Sequence, residues 1–230
     1  MTYLFDPPTP PSLAILGRRE RFPVRRIYCV GRNYADHVRE MGGDPNASPP
    51  FFFAKPADAL VETGTTLPYP SASEDLHHEV ELVVALAEGG QDIPAEAAEA
   101  KVFGYAVGID LTRRDLQAMA KKAGQPWEAG KALDQGAPCS ALVPASELGH
   151  PNTGRISLAV NGETRQDGDL AQMIWPLPDI IAKLSALFTL APGDLIFTGT
   201  PAGVGAIGPG DKVSALIEGI GDLEIAIGPR

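Results

Sequence analysis

Glycine and proline interrupt the apolar runs of this sequence at short intervals. The 230 residues include 25 glycines and 22 prolines, and the apolar segments between them are short. Such segments are typical of strands, because helices need longer uninterrupted periodic patterns. The sequence therefore predicts an α+β fold that is mainly β. The predicted strands are 26–31, 51–55, 79–87, 102–110, 156–161, 194–199, 212–218 and 222–227. The predicted helices are 34–41, 94–100, 112–123 and 178–188.

The composition fits a globular protein that acts on a small molecule. A hydrophobic content of 44% is enough to build a core in a chain of this length. No apolar run approaches the roughly 20 residues that a membrane-spanning helix needs, and the first residues lack the pattern of a signal peptide. We therefore expect a cytoplasmic protein with no membrane partner. The net charge of −10 also disfavours nucleic acid, which selects basic surfaces.

No linker separates two independent domains in this sequence. The segment before about residue 50 could instead be an appendage that folds over the rest of the chain. Cys29 and Cys139 are too few and too far apart for a disulfide framework or a zinc site. We expect both to be reduced, buried thiols.

Three carboxylates mark the strongest candidate site. Glu79 and Glu81 are two residues apart in a predicted strand, so their side chains point to the same side, and Asp110 ends the next apolar run. Ionised carboxylates that converge in this way repel each other unless a cation lies between them. Oxygen ligands without a thiolate favour Mg²⁺ or Mn²⁺, with Ca²⁺ as another option, over zinc. The alternative is that Glu79 and Glu81 form the solvated face of an edge strand.

His37 and Glu40 form a second candidate pair. They are three residues apart in a predicted helix, with Asn33 as its expected N-cap, so they share one face. A carboxylate in this position could orient the imidazole and raise its basicity, as a general base requires. The alternative is an ordinary surface pair.

Further polar residues could serve a substrate. Lys131 could stabilise an enolate, and Arg114 with Gln117 could bind a carboxylate, although solvated side chains would give the same pattern. Thr198 and Thr200 could offer hydroxyls to an anionic ligand. The glycines at 203, 205 and 208 have dinucleotide-loop spacing, but no helical pattern follows them, so we exclude a nucleotide site.

Six segments in this order resemble the fumarylacetoacetate hydrolase family, in particular its short acylpyruvase branch. The segments are 28–37, 53–56, 78–82, 108–117, 130–131 and 198–205, and the resemblance extends from about residue 25 to 225. It implies a mixed β-roll, usually dimeric, with a short helix as an amino-terminal lid. The corresponding division of the chain is an extension and lid at 1–50 and a catalytic domain at 51–230.

The same resemblance implies roles for ten residues. The metal ligands would be Glu79, Glu81 and Asp110. His37 and Glu40 would activate water, and Lys131 would stabilise charge. The substrate would contact Arg32, Arg114, Gln117 and Thr200.

The expected activity is metal-dependent hydrolysis of a carbon–carbon bond in a 2,4-dioxo acid. The whole-chain pattern is similar to enzymes that cleave fumarylpyruvate to fumarate and pyruvate in gentisate degradation. One alternative is oxaloacetate decarboxylation, or hydration or isomerisation of an oxo acid, at the same metal site. Another is an oxo-acid binding protein without turnover, for which the pair of His37 and Glu40 would be dispensable.

Overall fold

Strands dominate the computed structural model, which describes residues 2–230. The strands are β1 (Ser12–Ala14), β2 (Arg21–Pro23), β3 (Arg26–Gly31), β4 (Phe51–Lys55), β5 (Leu60–Glu62), β6 (Thr65–Pro68), β7 (Leu76–His78), β8 (Val80–Leu86), β9 (Val102–Ile109), β10 (Thr112–Arg113), β11 (Ala137–Cys139), β12 (Val143–Pro144), β13 (Arg155–Val160), β14 (Glu163–Asp169), β15 (Asp194–Phe197), β16 (Gly205–Ile207), β17 (Lys212–Ile217) and β18 (Gly221–Gly228). The helices are α1 (Ala35–Glu40), α2 (Ala95–Ala98), α3 (Arg114–Ala123), α4 (Glu128–Lys131), α5 (Ala145–Leu148) and α6 (Leu177–Leu187). All eight predicted strands and all four predicted helices are present, with small differences at their ends.

Two large sheets organise the fold. An eight-stranded sheet has the order β4-β3-β15-β8-β9-β11-β5, with β12 paired beside β9, and a five-stranded sheet has the order β14-β13-β17-β18-β6. The sheets are mixed, because β15 runs parallel to β3 while most neighbouring strands are antiparallel. A small three-stranded sheet, β10-β7-β16, lies beside the first. The prediction of an α+β, mainly β fold is therefore confirmed.

The central strand β8 is buried on both faces. Val80, Leu82 and Val84 belong to the larger apolar cluster, which also contains the inward side chains of the five-stranded sheet and α6. Val83 and Ala85, on the other face, belong to a second cluster with residues of β3 and β15. Strand alternation predicts this division, since successive side chains of a strand point to opposite faces. Glu81 is two residues before Val83 in the same strand, so its side chain lies on the second face.

The capping role predicted for Asn33 is wrong. Helix α1 begins after Tyr34, and no side chain of the described residues caps it. Asn33 instead donates hydrogen bonds to the carbonyl oxygens of Thr198 (2.8 Å) and Trp175 (3.1 Å) and accepts one from the Trp175 amide (2.7 Å). These tertiary bonds satisfy the buried amide side chain better than a local cap would, and they anchor the start of α1 to the end of β15.

Both cysteines lie in the eight-stranded sheet, Cys29 in β3 and Cys139 in β11. Cys29 and Cys139 are free and buried, as expected. Across residues 2–230, no helix has both the length and the apolar character needed to cross a membrane.

Candidate functional site

The register of β8 and β9 brings the three predicted carboxylates together. Glu81 lies opposite Gly108 in the antiparallel ladder, and the amide of Asp110 extends this ladder to the Glu79 carbonyl oxygen at 2.8 Å. A Cβ atom at residue 108 would lie 2.4 Å from a methyl group of Val83. A larger residue at 108 would therefore clash with the Val83 side chain, which lies on the same face of the sheet, so this position needs glycine.

The three acids form a compact, buried set of oxygen donors. One carboxylate oxygen from each of Glu79, Glu81 and Asp110 lies within 4.8 Å of the others. Their exposed fractions are 4%, 2% and 0%. The alternative of a solvated edge strand is thus wrong, because β8 lies in the interior of the sheet between β15 and β9.

Two buried lysines balance part of this negative charge. The Lys131 ammonium donates to Glu79 Oε2 at 2.7 Å, to Asp110 Oδ2 at 2.6 Å and to Thr112 Oγ1 at 2.7 Å. The Lys55 ammonium lies 2.8 Å from Asp110 Oδ1 and donates to the carbonyl oxygen of Lys131 at 2.5 Å. Lys131 is therefore not a solvated lysine, and its ammonium is held directly against two of the acids.

The acids differ in how well they are neutralised. Burial would raise the pKa of Glu79, but Lys131 and Arg114 outweigh burial and hold that pKa well below its usual range. Burial, reinforced by the charges of Asp110 and Glu79, raises the pKa of Glu81 well above its usual range. Glu81 accepts a hydrogen bond from the Gly199 amide at 2.8 Å, which only partly compensates its charge.

This donor set fits a hard divalent cation. Carboxylate oxygens are the ligands that Mg²⁺, Mn²⁺ and Ca²⁺ prefer. A cation beside Glu81 would also compensate the buried charge that the protein leaves least neutralised. The residues of the site could therefore hold a metal ion, with Glu79, Glu81 and Asp110 as candidate ligands.

His37 and Glu40 face each other on α1, as their spacing predicts. His37 Nδ1 lies 3.3 Å from Glu40 Oε2, and the Gly203 amide donates to both Glu40 oxygens, at 3.0 and 3.1 Å. Burial lowers the pKa of His37, although Glu79 and Glu40 partly oppose this shift. The imidazole is therefore neutral at neutral pH, which is the form that a general base needs.

Arg114 and Gln117 are buried beside the acids. Arg114 Nη2 donates to Glu79 Oε1 at 2.5 Å, and Nη1 donates to Gln117 Oε1 at 2.8 Å. A plain exposed helix face is thus excluded for this pair. Because one edge of the guanidinium is already bound to Glu79, the arginine is fixed in position before any substrate arrives.

Arg32 and Thr200 lie in the same cavity. The cavity is lined by all ten residues singled out above except Glu40, together with Phe53, Lys121 and Trp127 among others. Arg32 has a left-handed backbone (φ 63°), and its guanidinium donates to Ser48 Oγ at 2.9 Å and lies over the Phe51 ring. A non-glycine residue in this conformation is uncommon and needs support from its surroundings. As the cavity lining shows, the structure places the candidate metal ligands, base and substrate contacts together.

A family model described as "Fumarylacetoacetate (FAA) hydrolase C-terminal" matches residues 26–227. The chain belongs to the fumarylacetoacetate hydrolase family. The prediction of an enzyme with the mixed β-roll of this family is confirmed by this match and by the structural similarity that follows.

Relatives within the fumarylacetoacetate hydrolase family have more than one activity. A fumarylpyruvate hydrolase of Ralstonia sp is 42% identical over 186 residues, covering 81% of this chain and 96% of that protein. An oxaloacetate tautomerase of Escherichia coli strain K12 is 44% identical over 201 residues, covering 86% and 90%. The crystal structure of fumarylpyruvate hydrolase from Pseudomonas aeruginosa in complex with Mn²⁺ and pyruvate matches with a TM-score of 0.98 and 52% identity over 100% of both chains.

Three residues of the site were not predicted from the sequence. Lys55 lies in one of the segments that resemble the fumarylacetoacetate hydrolase family, but a single lysine in a strand has no distinctive spacing. Gln166 lies in the polar strand β14, and Lys121 looks like an ordinary exposed residue at the end of α3. Only the tertiary structure brings Lys121 to the cavity wall, Lys55 against Asp110 and Gln166 against Thr200.

Proposed function

We propose that this enzyme hydrolyses the C3–C4 bond of a 2,4-dioxo acid, fumarylpyruvate, to give fumarate and pyruvate. The observation that carries this proposal is the joint presence of two groups in one cavity. One is the buried set of Glu79, Glu81 and Asp110, and the other is the neutral imidazole of His37. The first suits a cation that binds an oxo acid, and the second suits activation of water.

The carboxylate set would hold the cation that polarises the substrate. A divalent ion on Glu79, Glu81 and Asp110, either Mg²⁺ or Mn²⁺, would supply electrophilic stabilisation to the carboxylate and 2-oxo oxygens of the substrate. Arg114 and Lys131 would add positive charge on the same side, because both are fixed against Glu79. The oxo-acid end of the substrate would therefore lie over the acids.

His37 would act on the water that attacks C4. Glu40 accepts a hydrogen bond from His37 Nδ1–H, so Nε2 is free to take a proton from water. Attack on the C4 carbonyl gives a tetrahedral intermediate, and its collapse breaks the C3–C4 bond. The electron pair leaves on C3 as the enolate of pyruvate, which Lys131 would stabilise before protonation.

Residues 1–50 would serve as the lid over this reaction, with 51–230 as the catalytic domain. Helix α1 carries both His37 and Glu40, and the Gly203 amide, in the loop that follows β15, donates a hydrogen bond to Glu40. Closure of α1 onto residue 203 would therefore fix Glu40 behind His37 and exclude bulk water at the same time. The dimeric state and the cytoplasmic location remain proposals that rest on the resemblance and the sequence.

Two unpaired cations at the cavity wall favour a substrate with a second carboxylate. Arg32 and Lys121 both line the cavity, and neither forms an ion pair with an acid within residues 2–230. The far carboxylate of fumarylpyruvate would meet this positive charge, whereas the neutral tail of acetylpyruvate would not.

Oxaloacetate tautomerisation is the second candidate, because several relatives have that activity. Its chemistry needs proton transfer at C3 but no attack by water. The test is a side-by-side kinetic assay of fumarylpyruvate, acetylpyruvate and oxaloacetate in Mg²⁺ and Mn²⁺. We expect the highest kcat/KM for hydrolysis of fumarylpyruvate. Faster turnover of oxaloacetate, without cleavage of either acylpyruvate, would favour the tautomerase instead.

Lys121→Gln is expected to reduce the preference for a dicarboxylic substrate. Because Lys121 is largely exposed, its charge is screened, and we expect KM for fumarylpyruvate to rise about threefold to fivefold. KM for acetylpyruvate should stay within error. Lys122→Gln, which removes the same charge one residue outside the cavity lining, is the matched control. An equal effect of both variants, or an equal rise for both substrates, would contradict a specific role of Lys121.

A further inference from the structure

A buried amide side chain connects strand β14 to the cavity. Gln166 is fully buried, and its Nε2 donates to Thr200 Oγ1 and to the carbonyl oxygen of Pro201, both at 2.8 Å. Its Oε1 accepts a hydrogen bond from the Val80 amide at 3.0 Å. Gln166 thus bridges the start of the metal-site strand β8 and the loop that follows β15.

Two backbone groups determine which atom of the Gln166 side-chain amide is the oxygen and which is the nitrogen. The Val80 N–H can only donate, so the atom beside it must be the oxygen. The Pro201 carbonyl can only accept, so the atom beside it must be the nitrogen. Exchanging the two atoms would place two donors together at Val80 and two acceptors together at Pro201. The orientation of this amide is therefore determined by its partners and is not an arbitrary assignment.

This orientation determines the role of the Thr200 hydroxyl. Because Gln166 donates to Thr200 Oγ1, the hydroxyl accepts from the protein and keeps its own hydrogen for another acceptor. No group within residues 2–230 accepts that hydrogen. Thr200 lines the cavity, and the amide of its neighbour Gly199 binds Glu81 Oε2. The free O–H is therefore next to the candidate metal ligands.

His78 supports the same amide from the other side. Its Nδ1 lies 3.0 Å from Gln166 Oε1, and since that oxygen only accepts, Nδ1 carries the proton. The other ring nitrogen, Nε2, is buried and has no hydrogen-bond partner within the part of the chain that the structure describes. Both the Val80 amide and the His78 ring thus hold the Gln166 oxygen away from Thr200.

We infer that Gln166 is a positioning residue that presents the Thr200 hydroxyl as a hydrogen-bond donor to the oxo-acid end of the substrate. The acceptor is a carboxylate or 2-oxo oxygen, because the hydroxyl lies on the side of Glu81. This inference rests on the proposed function for the identity of the ligand. It adds a residue that touches no substrate and acts only through Thr200.

The test uses Gln166→Glu, which keeps the side-chain volume and the oxygen that Val80 needs. The new carboxylate oxygen would accept the Thr200 hydrogen and turn the hydroxyl away from the cavity. We expect pyruvate affinity in the presence of Mn²⁺, measured by calorimetry, to fall about 10- to 100-fold, as for loss of a hydrogen bond to a charged group. Thr200→Val should give a similar loss. Gln91→Glu, at an exposed glutamine, is the matched control and should bind pyruvate normally.

The double variant separates positioning from a structural role. If Gln166 acts through Thr200, adding Gln166→Glu to Thr200→Val causes little further loss of pyruvate affinity or of kcat/KM. Equal losses in both backgrounds, or normal affinity in Gln166→Glu, would overturn the inference. If Gln166→Glu does not fold, Gln166→Met in the same cycle takes its place. If neither folds, Thr200→Ser should bind pyruvate at least about fivefold better than Thr200→Val, and equal affinities would overturn the inference.

The results of these pyruvate titrations can be distinguished from failure of the proposed function. A wild-type enzyme that binds pyruvate but does not cleave fumarylpyruvate would reject the proposed reaction. The pyruvate titrations of the Gln166 and Thr200 variants would still decide whether Gln166 orients Thr200.

Discussion

His37→Ala is expected to lower kcat for fumarylpyruvate hydrolysis by about 100- to 10,000-fold, the usual contribution of a positioned general base. The physical reason is that, among the described residues 2–230, His37 is the only histidine on the cavity wall, where water must lose its proton. Mn²⁺ affinity should be retained, since His37 is not among the clustered oxygen donors. Steady-state kinetics and a Mn²⁺ titration of the same preparation measure both quantities. His150→Ala, outside this cavity, is the control for loss of a histidine.

The pH profile provides an independent check on the same base. Because burial lowers the pKa of His37 from its ordinary value of 6.5, the unprotonated form persists below that pH. The acid limb of kcat/KM should therefore lie below pH 6.5. Glu40 raises the pKa of His37, so Glu40→Gln should move the limb to still lower pH as well as reduce the rate. Full activity of His37→Ala, or an acid limb unchanged by Glu40→Gln, would remove His37 from the role of base.

The main features of the fold could be predicted because they depend on local patterns. Strands such as β8 and β9 have continuous β-branched and aliphatic residues, and their alternation also predicts that Glu79 and Glu81 point to one side. The missed strands lack such patterns. β10 and β12 have two residues each, and β14 is almost entirely polar, held by its ladder to β13 with Gln166 as its one fully buried side chain.

The candidate site was predicted less completely, because its charge balance depends on contacts between distant parts of the chain. Lys55 and Asp110 are 55 positions apart, yet their side chains form a buried ion pair. The same limit explains why the N-cap role predicted for Asn33 is wrong, since its hydrogen-bond partners Trp175 and Thr198 are more than 140 residues away. Sequence spacing predicts which side chains are neighbours along one helix or strand. These bonds instead join elements that are far apart in the sequence and that the order of strands in the sheet brings together.

Glu81→Ala is expected to abolish metal-dependent activity and to weaken Mn²⁺ binding by at least about 100-fold. Glu81 is the acid with the least compensation from the protein, so it gains most from a divalent cation. In the wild type, EDTA should remove activity and added Mn²⁺ or Mg²⁺ should restore it. Turnover that survives EDTA would reject the proposed metal dependence.

Glu81→Gln distinguishes a metal ligand from a structural acid. The raised pKa of Glu81 means that its ionised form destabilises the metal-free protein, and this cost grows as pH rises from the ordinary value of 4.5 through the raised pKa. Glutamine removes the charge while keeping the shape, so metal-free Glu81→Gln should unfold at the same or a higher temperature than wild type at neutral pH. Adding Mn²⁺ should then raise the unfolding temperature of wild type but not of the variant. A lower unfolding temperature without metal would instead mean that the ionised carboxylate of Glu81 mainly stabilises the fold.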